Sequence, residues 1–160
     1  MKLSIAAIGR MKSGPEADLL AIYLARARQQ GRPAGITAIT LADTAESRKD
    51  SAGARKADEA RWLLGTAGPA ACLVALDERG KTLSSEEFAG LIRQELDAGT
   101  SEIAFCLGGP DGHGQALRDA ARHLVSFGRM TWPHKLARVM LAEQVYRSVT
   151  ILVNHPYHRD

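Results

Sequence analysis

The sequence predicts an open α/β fold, a parallel sheet with helices on both faces. Two observations predict it. Short apolar runs alternate with longer helical patterns along the chain, and two of the runs, residues 70–76 and 103–107, are apolar almost without interruption. Continuous apolar runs belong to strands covered on both faces, and strands separated by helices pair in parallel.

The elements follow in order. Residues 3–8 read as a strand, 15–30 as a helix ending at Gly31, and 36–41 as a second strand. Helix formers fill residues 51–64 up to Gly65, and residues 70–76 are the third strand. Ser84-Ser85-Glu86-Glu87 offers a capping box for a helix that reaches about Ala98 and is closed by Gly99. Residues 103–107 form a further buried strand, 115–122 a short helix, 124–127 a brief strand and 135–152 the last helix, followed by a tail at 154–160. The polar stretch 44–54 reads as a loop.

A chain of 160 residues, 45% hydrophobic and 24% charged, suits a single domain. A net charge of +3 tolerates a polyanionic partner without demanding one. Cys72 and Cys106 sit inside apolar runs and form no CxxC, which points to buried thiols rather than a disulfide framework. The N-terminal apolar run is too short for a signal peptide, and no stretch approaches the roughly 18 apolar residues of a membrane span. A cytoplasmic protein that does not engage a membrane is expected.

Ligands of such sheets bind beyond the carboxyl ends of the strands, so the loops after Leu76, Leu107 and Phe127 are where chemistry is expected. The first, Leu76-Asp77-Glu78-Arg79-Gly80-Lys81, could equally be an ordinary turn. In the second, Gly108-Gly109-Pro110-Asp111-Gly112, the glycines let a ligand approach the backbone and Pro-Asp-Gly builds a tight turn. It is neither a dinucleotide fingerprint nor a P-loop. A side chain at Gly108 is expected to occupy the ligand's space.

The last helix is apolar on two sides: Leu136, Val139, Met140, Tyr146 and Ile151 share one, and Leu141, Ala142, Val145, Val149 and Leu152 the other. A helix apolar all round is buried all round. One side is expected to meet the sheet and the other a second copy of the chain, giving a homodimer that a charge at Val139 or Val145 would split or unfold. Glu143 and Arg147, four residues apart, and Arg138 on the opposite side all need partners. An ion pair locking a dimer and a functional site at the interface both fit. Four of the five histidines lie from His123 onward. The spacing of His134, His155 and His158 matches no common zinc pattern, so no metal is expected. A tail of Asn154-His155-Pro156-Tyr157-His158-Arg159 suits an RNA loop better.

LDERGK at 76–81, LGGPDG at 107–112, WPHKLARVMLAEQVYR at 132–147 and NHPYHR at 154–159 stand in order, with Lys56-x-x-Glu59 upstream. Together they resemble the ribosomal RNA large subunit methyltransferase H family of the SPOUT superfamily, over essentially the whole chain. The resemblance implies a single SPOUT domain over residues 1–160 with a C-terminal trefoil knot, a feature that periodicity cannot reveal. It implies a homodimer holding S-adenosylmethionine with Leu76, Gly108, Phe127, Gly128, Arg129, Met130, Thr131 and Trp132. The reaction it implies is methyl transfer to N3 of a pseudouridine in a loop of 23S ribosomal RNA on the assembled ribosome, without a metal. Glu143 and His158 are the candidate bases for the N3 proton. Arg147 and Arg159 would meet phosphate or imide carbonyls, and Tyr157 the target base. Because the tail follows the interface helix directly, it is placed to reach the partner's cofactor pocket. The alternative, a non-enzymatic RNA-binding ribosome-assembly factor, accounts for the basic tail but not for the cofactor loops. A dinucleotide enzyme lacks its glycine-rich first turn, since Ile8-Gly9-Arg10-Met11-Lys12 is no such loop.

Overall fold

Each strand-like run of the sequence becomes a strand. The computed structural model describes residues 1–157. Its elements are β1 (Lys2–Ile8), α1 (Pro15–Gly31), a 3-10 turn (Arg32–Ala34), β2 (Ala38–Thr44), α2 (Ala52–Thr66), β3 (Cys72–Thr82), α3 (Ser85–Asp97), β4 (Glu102–Leu107), α4 (Gln115–Ala120), β5 (His123–Ser126) and α5 (His134–Leu152). The strands form one five-stranded sheet in the order β2-β1-β4-β3-β5, with every pair parallel.

Period-two alternation divides the core between the two faces. Leu3, Ile5 and Ala7 of β1 join Leu20 and Leu24 of α1, Phe88 and Ile92 of α3, and Leu141, Val145 and Val149 of α5. Ala6 and Ile8 point the other way, onto Ala60 and Leu63 of α2 and Leu117 of α4. Crossovers toward β2 use the first face and crossovers toward β5 the second, so all share one hand. Phe105, Ile103 and Leu141 are fully buried, each worth about 1.5–3 kcal/mol of transfer free energy.

Local signals set the helix starts. Pro15 lies in the first turn of α1, where no N–H is needed, with Glu16 and Asp18 facing the positive end of the helix dipole. Ser51 caps α2 through its Oγ, which accepts from the Ala54 N–H at 3.1 Å. The capping box of α3 is complete: Glu87 N–H donates to Ser84 Oγ at 3.2 Å and Ser84 N–H to Glu87 Oε2 at 2.7 Å.

Several boundaries differ from the sequence reading, α2 running past Gly65 to Thr66 among them, and three have a visible cause. β2 is shifted toward Thr44 because it pairs with β1 in register from Lys2 opposite Ala38 to Ile8 opposite Thr44. α4 stops at Ala120 because Arg122 N–H donates to Leu73 O at 2.9 Å, taking the chain into the sheet. β3 does not end at Leu76. It bulges outward and resumes, so that Leu76 and Lys81 both lie opposite Val125 of β5. At the crossing, a Cβ on Gly80 would lie 2.5–2.6 Å from backbone atoms of Leu124 and Val125, a separation only glycine tolerates.

α5 is indeed buried around most of its circumference, but by its own chain. Leu141, Ala142, Val145 and Val149 are 0% exposed, and α1 and α3 flank the helix. These four belong to the side expected to meet the sheet; on the other side Val139 and Tyr146 are buried, Met140 and Ile151 are half-buried and Leu136 is exposed. Exposed apolar side chains remain at Leu136 of α5 and at Leu19 and Ile22 of α1. Arg138 is 2% exposed and finds its counter-charge in Asp43 at the end of β2, 3.0 Å away. It also donates to the carbonyls of Ile8 at 3.1 Å and Gly9 at 2.6 Å. No helix among the described residues is long and apolar enough to cross a membrane.

Candidate active site

The outward bulge of β3 after Leu76 and the loops that leave β4 and β5 at their carboxyl ends enclose a cleft of about 650 Å³. Leu76, Gly108, Phe127, Gly128, Arg129, Met130, Thr131 and Trp132 all line it, with Asp77, Glu78 and His113 beside them.

The middle loop is held from behind. His113 is 4% exposed, and its Nε2 lies 3.0 Å from Leu76 O, joining the loop to the end of β3. Desolvation holds its imidazole below the ordinary range, against the opposing pull of Asp77 and of the Leu76 and Cys106 carbonyls. Arg55 of α2 grips Asp111 in a fork, at 2.6 and 3.1 Å. The hydrogen bond lowers the Asp111 pKa. Gly112 takes a left-handed φ of 77° and closes the turn onto Gly109 O at 2.9 Å.

The glycines also allow close packing within the protein. A Cβ at Gly108 would lie 3.1 Å from the His113 ring, and one at Gly109 would lie 2.8 Å from Glu59 Oε2. A side chain at either position would crowd the protein's own packing. Glu59, the acid of the Lys56-x-x-Glu59 pair, is 5% exposed and accepts from Ser47 N–H at 3.0 Å. Its Oε2 has no hydrogen-bond partner among the described residues.

The third loop starts in a turn in which Ser126 Oγ accepts from Gly128 N–H and donates to Gly128 O, both at 3.2 Å. Gly128 has a φ of 100° and open space where a Cβ would project. Beyond it, Met130 is 72% and Trp132 37% exposed, an unusual display of apolar surface.

Glu143, Arg147 and Tyr157 form a second group. Glu143 Oε1 accepts from Arg147 Nε at 2.9 Å, Arg147 Nη2 at 2.7 Å and the Tyr157 hydroxyl at 3.1 Å, while Oε2 accepts from Gln144 at 2.7 Å. The Arg147 guanidinium lies 5.0 Å from the centre of the Tyr157 ring, which rests 4.5 Å from that of Tyr146. Burial, then the Glu143 charge, pushes the Tyr157 hydroxyl up to about 12.

The two groups are not brought together within one chain. Glu143 borders a smaller, more apolar cleft of about 380 Å³, which also holds Tyr23, Phe88 and Met140. Val125, Ser126 and Phe127 line both clefts and form the wall between them. His158 and Arg159 lie outside the described residues. Sequence reasoning missed His113, although its place directly after the glycine turn at a strand end was a usable signal. Nothing local marked Asp43 as the partner of Arg138, since 95 residues separate them.

A family profile described as "Predicted SPOUT methyltransferase" matches residues 1–158. Proteins named ribosomal RNA large subunit methyltransferase H are similar along the full length. The one from Brucella abortus is 44% identical over 169 positions, covering 100% of both chains. Those from Brucella anthropi (45% over 160 positions, 100% of both) and Rhizobium etli (46% over 159 positions, 99% of both) agree. A more distant likeness is to the SpoU methyltransferase AviRb from Streptomyces viridochromogenes, solved with AdoMet, at a TM-score of 0.41 and 14% identity over 96% of this chain and 61% of that one. By the profile match and these relatives, the chain belongs to the SPOUT methyltransferase family.

Proposed function

We propose that this protein is an S-adenosylmethionine-dependent methyltransferase acting on N3 of a pseudouridine in a loop of 23S ribosomal RNA, as a cytoplasmic homodimer on the assembled ribosome. The observation that carries the reading is the cleft between the β3 bulge and the carboxyl ends of β4 and β5. Family membership and the names of the relatives support the reaction class and the RNA.

The residues present fit the cofactor. The cleft is within the roughly 300–1,000 Å³ range of small-molecule sites. Its lining carries both signs of charge, Asp77, Glu78 and Asp111 with Lys56, Arg79, Arg118 and Arg129, as a zwitterionic ligand with a sulfonium requires. Leu76, Gly108 and the segment 127–132 would hold the molecule, with Met130 and Trp132 offering exposed apolar groups to cover it. Bound there, S-adenosylmethionine supplies an electrophilic methyl group. The chain's own part is mainly alignment of donor and acceptor, worth several kcal/mol of barrier. It must also receive the N3 proton, for which Glu143 and His158 are the candidates. Arg147, Tyr157 and Arg159 would seat the RNA. This chemistry asks for no metal.

The wall formed by Val125, Ser126 and Phe127 favours a composite site, in which Glu143, Arg147 and the tail of one subunit face the cofactor of the other. Mass spectrometry of ribosomal RNA from cells lacking the gene should show one methyl lost from a pseudouridine, and unchanged RNA would refute the assignment. Mixed dimers test the composite site. A chain lacking residues 157–159 is combined with a chain carrying Met130→Ala and Trp132→Ala, both exposed positions. Recovery of about half the activity is expected from a shared site. An exchanged, folded and inactive mixture would confine each site to its own subunit.

A further inference from the structure

We propose that Cys72, Glu95 and His123 form a site for a zinc-class divalent cation at the amino end of the sheet, opposite the cleft. The residues come from the first position of β3, the last turn of α3 and the first position of β5. Their ligand atoms all lie within 4.8 Å of one another. Cys72 is 3% and Glu95 6% exposed, and His123 Nε2 stands 3.6 Å from Glu95 Oε1. That nitrogen is buried and has no hydrogen-bond partner among the described residues. A buried ring nitrogen left unpaired is costly, and a cation at the centre of the trio satisfies it.

The donors select the ion. A thiolate, an imidazole and a carboxylate suit Zn²⁺ or Co²⁺, whereas Mg²⁺ and Ca²⁺ require oxygen shells. Tetrahedral zinc bonds place ligand atoms about 3.3–3.7 Å apart, so the trio closes by roughly 1 Å through side-chain rotation. Glu95 already accepts from Arg122 at 3.0 Å on both oxygens and from Thr100 at 2.5 Å. The Arg122 side chain is 61% exposed, so it can release one oxygen and retain the other. Arg122 and His123 also line a separate cleft of about 630 Å³, through which water reaches the fourth coordination position. On binding, the Cys72 S–H bond breaks, sulfur bonds the metal and the proton leaves to solvent. The ion would clamp α3 to β3 and to the edge strand β5, whose other end forms the wall of the cofactor cleft.

The test uses untagged full-length protein stripped by a chelator and titrated with zinc chloride in a calorimeter. One equivalent per chain is expected, with a rise of several degrees in melting temperature. Cobalt chloride should give a thiolate-to-metal charge-transfer absorption that Cys72→Ala abolishes. His123→Ala, at a half-buried position, should weaken zinc binding at least about tenfold, and it carries the test if Cys72→Ala does not fold. Absence of uptake overturns the site. Uptake unchanged in His123→Ala also overturns it.

Discussion

Replacing Asp43 with alanine is expected to destabilise the protein by about 3–4 kcal/mol, because it strands the guanidinium of Arg138 inside the fold. Breaking a buried ion pair typically costs about 3–5 kcal/mol. Two features place this one near the lower end. Asp43 is itself 24% exposed, and Arg138 keeps the carbonyls of Ile8 and Gly9. Loss of the Met11 N–H bond to Asp43, 3.1 Å long, adds about 1 kcal/mol. Burial already draws the guanidinium below its ordinary pKa, against the pull of Asp43, so desolvation of this charge is substantial. For a domain of this size the melting temperature should fall by roughly 6–15 °C, read by circular dichroism and checked by urea unfolding. Arg138→Met supplies the control: Asp43→Ala/Arg138→Met should be more stable than Asp43→Ala alone, since the double variant buries no unpaired charge. A loss below about 1 kcal/mol in Asp43→Ala, or a double variant no better than the single, would refute the reasoning.

Gly108→Val should lower the melting temperature, because its side chain meets the His113 ring, and His113→Ala should restore part of the loss. A fully stable Gly108→Val that has lost only S-adenosylmethionine affinity would instead return the glycine to the ligand's side. Val145→Glu should yield no folded protein, since Val145 is 0% exposed within the chain; a folded monomer seen by light scattering would contradict that packing. The depressed pKa of His113 has a definite sign. Below the ordinary value of 6.5 the unfolded chain takes up the proton before the folded one, so stability falls as pH drops below 6.5. It levels off once the folded ring is also protonated. His113→Leu should flatten that part of the profile in urea unfolding between about pH 5 and 7, and an unchanged slope would show that the ring is not the cause.

What was legible in the sequence was set by local rules. The capping box at Ser84 and the apolar runs that became β3 and β4 depend on neighbours a few residues away, and they emerged where expected. So did the ends of β4 and β5 that bound the cleft, because parallel sheets place their loops by topology. The errors came from distant partners. Polarity at 77–81 reads as a turn, yet pairing with Val125 draws Lys81 back into the sheet. The all-apolar α5 reads as an interface helix; α1 and α3 flank it, and a hydrophobic pattern cannot say how much of the surface around it belongs to the same chain. The cluster of Cys72, Glu95 and His123 was invisible for the same reason, since the residues are far apart in sequence and only adjacent strand starts join them.

The position of Arg138 also explains why three loops make one cleft. β5 is the edge strand, with β3, β4 and β1 following it in order across the sheet. The chain leaves β5 through the Ser126–Gly128 turn and is next fixed to the sheet by Arg138, on the carboxyl ends of β1 and β2. It must therefore pass over the carboxyl ends of β3 and β4. Three strand spacings amount to about 14 Å. The loop residues 127–133, fully extended, reach about 23 Å. The surplus length lets the segment bow away from the sheet instead of lying on it, and Met130 and Trp132 sit on that bow. The cleft is thus a consequence of strand order, the anchor at Arg138 and a loop longer than the gap it crosses.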